Sequence, residues 1–74
     1  MRLNTDRIRE SMIENSGLCK WTGLHCRAVF YLDEDGETKE VSFFSTNEKE
    51  IEDWLNGMIS KLKANGYIYQ TVTI

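Results

Sequence analysis

A chain of 74 residues, 41% hydrophobic and 28% charged, has the composition of one small folded domain and excludes a disordered tail. Its net charge of −3 is unevenly spread: residues 31–53 hold nine acids and two bases, the remainder seven bases and three acids. An acidic middle repels nucleic acid and anionic membrane alike, and no apolar run approaches the ~18 residues that span a bilayer.

At this length one core has little to spare, so association with a partner or a second copy would add stability. The opening Met1–Arg7 is polar and lacks the apolar centre of a signal peptide. A cytoplasmic setting is therefore expected, with Cys19 and Cys26 as free thiols. No proline, repeat or low-complexity run marks a linker, so residues 1–74 read as a single α+β domain.

Asn4 or Thr5 can cap a first helix over 5–16, with Asp6 at the positive end of its dipole and Ile8, Met12 and Ile13 as a narrow apolar stripe. Asn15-Ser16-Gly17 reads as its stop. Residues 18–23 are then a loop from which Trp21 lids one end of the core.

A first strand over 24–32 alternates: Leu24, Cys26, Ala28, Phe30 and Leu32 point one way, His25, Arg27, Val29 and Tyr31 the other. Asp35-Gly36 is the two-residue signal for a type I′ turn. A turn there pairs Phe30 with Val41, Ala28 with Phe43, Tyr31 with Glu40, and sets Phe44 opposite Arg27 within cation–π reach. The second strand is placed at 38–45. Ser45–Glu48 and Asn47–Glu50 both have capping-box spacing, and Ile51, Trp54, Leu55, Met58, Ile59 and Leu62 follow on one broad helical face over 47–65. Asn65-Gly66 ends it. A third strand over 67–74 sets Ile68, Val72 and Ile74 on one side and Tyr67, Tyr69, Thr71 and Thr73 on the other.

The order is α-β-β-α-β. The expected architecture is a mainly antiparallel three-stranded sheet ordered 2-1-3, both helices packed on one face. An alternative sets the third strand parallel to the second through a right-handed crossover.

No catalytic set is legible. His25 and Cys26 are strand neighbours, so their side chains leave opposite faces and cannot form a nucleophile–base pair. With Cys19 they make three soft ligands where structural zinc takes four. Asp33-Glu34-Asp35-Gly36 fails as a calcium loop, because Tyr31 and Ser42 would stand where the key carboxylates belong. The glycines never approach a phosphate-cradling pattern. No enzyme activity, metal, cofactor or small-molecule ligand is implied.

What remains is a contact surface. On the expected bare sheet face Arg27, Val29, Tyr31, Phe44, Tyr67 and Tyr69 would form an aromatic patch, and the last strand would offer an unpaired edge. The leading expectation is a non-enzymatic protein-binding or regulatory module docking by that face or edge on another protein or its own copy. In size, acidity and hairpin-helix layout the chain is similar to small phage- or mobile-element-encoded inhibitors and adaptors, a likeness of layout that no motif carries. The alternative is single-stranded nucleic-acid binding with Tyr31, Tyr67 and Tyr69 stacking bases, against which the acidic segment stands. The acids of the hairpin tip are expected to be neutralised by Lys61 and Lys63.

Overall fold

The computed structural model describes residues 2–73. Helix α1 runs Thr5–Thr22, strands β1 and β2 span His25–Leu32 and Thr38–Ser45, helix α2 runs Glu48–Ala64, and strand β3 spans Tyr69–Thr73. The sheet is antiparallel throughout and ordered β2-β1-β3, as the sequence implied. Ile74, placed on the third strand from sequence, lies outside the described residues. Among the described residues no helix is long and apolar enough to cross a membrane.

Helix α1 is longer than its sequence punctuation suggests. The Asn4 side chain accepts the Arg7 N–H at 3.1 Å and starts the helix. Its stop is Gly23 (φ 73°), whose N–H bonds to the Cys19 carbonyl at 2.8 Å. Gly17 therefore sits mid-helix, because Gly23 supplies the left-handed residue that closes the last turn. Trp21 belongs to the helix and is 84% exposed rather than a lid. At α2, Asn47 accepts the N–H groups of Lys49 and Glu50 at 3.0 and 3.4 Å.

The hairpin departs from expectation in a way that reorganises the molecule. Asp33 and Glu37 close it, the Asp33 N–H bonding to the Glu37 carbonyl at 2.9 Å. The loop thus holds three residues, not two. Asp33 Oδ1 accepts the N–H groups of Asp35 (3.0 Å) and Glu37 (2.8 Å), and only Gly36 (φ 80°) takes a positive φ. A type I′ turn would need Asp35 there as well. The side-chain bonds of Asp33 favour the ordinary turn instead.

One extra loop residue slips the register by one. Val29 pairs with Val41, Arg27 with Phe43, Phe30 with Glu40 and Cys26 with Phe44. Val41 and Phe43 consequently join Val29 on the side expected to be bare, and that side needs its own cover. Helix α2 supplies it: Trp54 stacks on Phe43 with centroids 5.3 Å apart and planes 16° apart. Val29 is 0% exposed.

Helix α1 covers the other side. Ile8 packs with Ala28, Phe30 and Val72, the Asn4 N–H bonds to Thr38 Oγ1 at 2.8 Å, and Asn15 Nδ2 reaches Glu40 Oε2 at 3.4 Å. The helices thus lie on opposite faces, not on one. β1, buried on both sides, is the middle of a helix–sheet–helix sandwich.

Candidate functional site

The six residues expected to form a contact patch are not brought together. Val29 is inside. Phe44 pairs with Cys26 and so lies on the α1 side of the sheet, away from Arg27. The Arg27 guanidinium turns back to the Cys26 carbonyl, Nη1 donating at 2.9 Å; no cation–π contact forms with Phe44. Tyr31 and Tyr67 meet edge to face, centroids 5.5 Å apart, and both are half-buried, as is Tyr69. Tyr31 and Tyr67 therefore spend part of their ring surface on each other, and none of the four aromatic rings stands fully exposed. Base stacking on Tyr31, Tyr67 and Tyr69 would require the bare sheet that α2 occupies.

The hairpin tip is compensated from within only in part, one lysine serving two of its four acids. Lys39 Nζ lies 3.0 Å from Glu37 Oε2 and 3.7 Å from Asp33 Oδ2, and the hydrogen bond to Glu37 foremost raises the Lys39 pKa above its ordinary value. Lys61 and Lys63 take no part in the ion pairs among the described residues; they sit in the last turn of α2. His25, at the start of β1, approaches Glu48 at the start of α2 (Nδ1 to Oε1 3.6 Å), an ion pair whenever the imidazole is protonated. Among the described residues no group of three His, Cys, Asp or Glu is arranged to hold a metal.

Exposed apolar surface has moved to the outside of α1. Of the five large hydrophobic residues that stand exposed among the described residues, four lie on this one helix: Met12, Ile13, Leu18 and Trp21. Single exposed apolar side chains are ordinary, whereas four on one element call for an explanation. Ile13 is 69% exposed, and Gly17 and Trp21 follow at i+4 and i+8. These three form one row along the outer side of the helix, about 12 Å long at 1.5 Å per residue. Glu10, Glu14 and Leu18 form the neighbouring i+4 row. Gly17 has open space where a side chain would stand, a shallow saddle between Ile13 and Trp21.

The sheet-facing side of α1 explains why the other side was hard to read. Only Ile8 and Asn15 are buried on it, so the helix shows no broad apolar face, and its outward apolar residues pass for core. The missed signal was the i, i+4, i+8 spacing of Ile13, Gly17 and Trp21, hidden by ending the helix at residue 16. The chain gives no match to any protein-family model, curated protein or solved structure.

Proposed function

We propose that this protein is a small non-enzymatic binding module, with α1 as its docking element. One observation carries the reading: Trp21 and Ile13, 84% and 69% exposed, project from a single row of a capped helix that the sheet already holds in place. A pre-formed helix loses little conformational freedom on binding, and large apolar anchors at i, i+4 and i+8 spacing suit a helix entering a groove. Tryptophan is also the side chain most enriched among residues that dominate binding energy.

The partner that fits is a protein with an apolar groove. Its rim would be basic along the side that meets Glu10 and Glu14, which belong to the row beside the anchors. The net charge of −3 steers encounter toward such a surface. A cytoplasmic setting accords with this reading, and the layout shared with small inhibitors and adaptors makes a regulatory target the natural one.

The test begins by identifying proteins that co-purify with the native chain in its source cell but not with the Ile13→Ser/Trp21→Ser variant. The purified candidate is then titrated against both. Binding weakened at least about tenfold in the variant, with its folded circular-dichroism spectrum unchanged, supports the proposal. Equal binding by both chains overturns it, and so does a concentration-dependent dimer that involves Trp21 and excludes the partner. A parallel titration with a labelled single-stranded oligonucleotide at low salt should show no binding.

A further inference from the structure

The structure assigns Cys19 and Cys26 as a dithiol site that an oxidant of the glutathione-disulfide class closes into an intramolecular disulfide. The inference does not depend on the docking role of α1. It rests on where the fold puts two sulfurs.

Cys19 lies in the last turn of α1, one residue type on the side that carries Ile8 and Asn15, the two side chains the helix buries against the sheet. The spacing shows this: Asn15 and Cys19 are four apart, one turn along the same row. Cys26 is the second residue of β1 and shares the face of Ala28 and Phe30, on which Ile8 packs. Only Gly23 and Leu24 join α1 to β1. That short link, made possible by the left-handed Gly23, folds the end of the helix back over the start of the strand. The two thiols consequently face the same helix–strand interface, close enough for Cys19 to be among the groups that raise the Cys26 pKa, while the Cys26 thiol donates to the Arg27 carbonyl at 3.8 Å.

Their accessibilities differ, and the difference orders the chemistry. Cys26 is 0% exposed, whereas Cys19 is half-buried and open to a reagent. The burial of Cys26 and its Cys19 neighbour also push its thiol from 9.0 up to about 12, so it is not the thiol that attacks first. The Cys19 thiolate attacks one sulfur of glutathione disulfide, forming a mixed disulfide and releasing one glutathione thiolate. Cys26 then gives up its proton to that thiolate, and its sulfur attacks the Cys19 sulfur, expelling the second glutathione thiolate, which takes up the proton lost from Cys19. Net, the protein loses two hydrogens and each cysteine sulfur is oxidised by one electron, while glutathione disulfide becomes two glutathione molecules.

The bridge would close an eight-residue loop, from Cys19 to Cys26, and tie down the C-terminal half of α1. That helix is held by few contacts: Ile8 and Asn15 are its only buried side chains. Oxidation therefore acts on the most loosely attached layer of the molecule. The fold, rather than proximity in sequence alone, is what should favour the bond.

The full-length chain is equilibrated without oxygen in mixtures of reduced and oxidised glutathione, quenched in acid, alkylated in denaturant and weighed intact. The expected product is two hydrogens lighter than the reduced chain, takes up no alkylating reagent and reverts with dithiothreitol. Its formation should be on the order of tenfold more favourable in the folded chain than in the same chain in guanidinium, matched by a higher melting temperature of the oxidised form. Cys26→Ala should stop at a glutathione adduct on Cys19, and Cys19→Ser should take up no glutathione while folded. A wild-type chain that stops at the Cys19 adduct overturns the assignment. So does a disulfide-linked dimer, or an equilibrium no better folded than denatured. The wild-type measurement decides the matter even where Cys26→Ala fails to fold.

Discussion

Phe43 on β2 and Trp54 on α2 stack nearly parallel, their centroids 5.3 Å apart and their planes inclined by 16°. This contact fastens the second layer of helix to a sheet face that the side-chain alternation of β1 alone leaves polar at three of four positions. Phe43 can reach Trp54 only because the hairpin register places it beside Arg27 and next to the fully buried Val29. The pair therefore reports both on the register and on the layering.

Truncating the pair should be costly. Trp54→Ala is expected to lose about 3 kcal/mol, a large fraction of the roughly 4–11 kcal/mol available to a domain of this size. A double-mutant cycle with Phe43→Ala, followed by urea denaturation, should return a coupling of about 0.5–1.5 kcal/mol. No coupling would mean that α2 does not lie over this face.

The two glycines of α1 should respond in opposite directions. Gly17 is in the helix interior with free space around it, so Gly17→Ala is expected to stabilise by about 0.5–1 kcal/mol. Gly23 has a φ of 73° and space as well, yet Gly23→Ala should cost about 1–2 kcal/mol, because the left-handed backbone itself is the obstacle. Thermal melts of the two variants give the signs. If Gly17→Ala destabilises, the helix ends before it.

The turn can be tested at Asp33. Its carboxylate holds the N–H groups of Asp35 and Glu37 and pairs with Lys39. Asp33→Ala is expected to cost about 1–2 kcal/mol, with the loss confined to the hairpin. Amide hydrogen exchange should speed up at Asp35 and Glu37 first. Deleting Glu34 from the wild-type chain would leave Asp35-Gly36 as a two-residue turn between Asp33 and Glu37, and so keep the register that pairs Arg27 with Phe43. Such a variant should retain the Phe43–Trp54 stack, readable as an unchanged tryptophan fluorescence spectrum, whereas a changed spectrum would mean that the pairing had slipped.

Alkaline pH should expose the buried thiol. Burial first, and the Cys19 thiol second, raise Cys26 from 9.0 to about 12. The unfolded chain therefore releases this proton near pH 9, while the folded chain holds it until about pH 12. Its contribution is complete below pH 9 and disappears as pH climbs toward 12, with a slope of up to about 1.4 kcal/mol per pH unit. Urea midpoints of wild type and Cys26→Ala across that window should show a shallower alkaline decline for the variant. Parallel curves would place the thiol in contact with water.

Much of the chain announces itself locally. The capping asparagine and the i, i+3, i+4 apolar rhythm of α2 report the element directly, since a helix buries one stripe of its own residues. The alternation of β1 and the β-branched and aromatic content of β3 do the same for strands. The hairpin was legible as a hairpin, from Asp35 and Gly36, but its length was not. Asp-Gly suits the last two residues of a three-residue loop as well as a two-residue turn, and the hydrogen bonds of the Asp33 side chain decide between them. For α1, Gly17 reads as the stop until the backbone is known, because it is Gly23 (φ 73°), not Gly17, that takes the left-handed conformation closing the helix.

From its residues alone, then, the protein acquires its five segments, their order and β1 as the central strand, because capping, periodicity and turn chemistry act over a few neighbouring positions. The tertiary structure decided which side each helix takes and hence which surface faces water. A single-residue shift of register exchanges every β2 side chain between the two faces, so whether a face is buried depends on a partner strand far away in the chain. That is why Phe43 is drawn in against Trp54 of α2, while on α1 the opposite face of the sheet takes only Ile8 and Asn15 and leaves Ile13 and Trp21 outside.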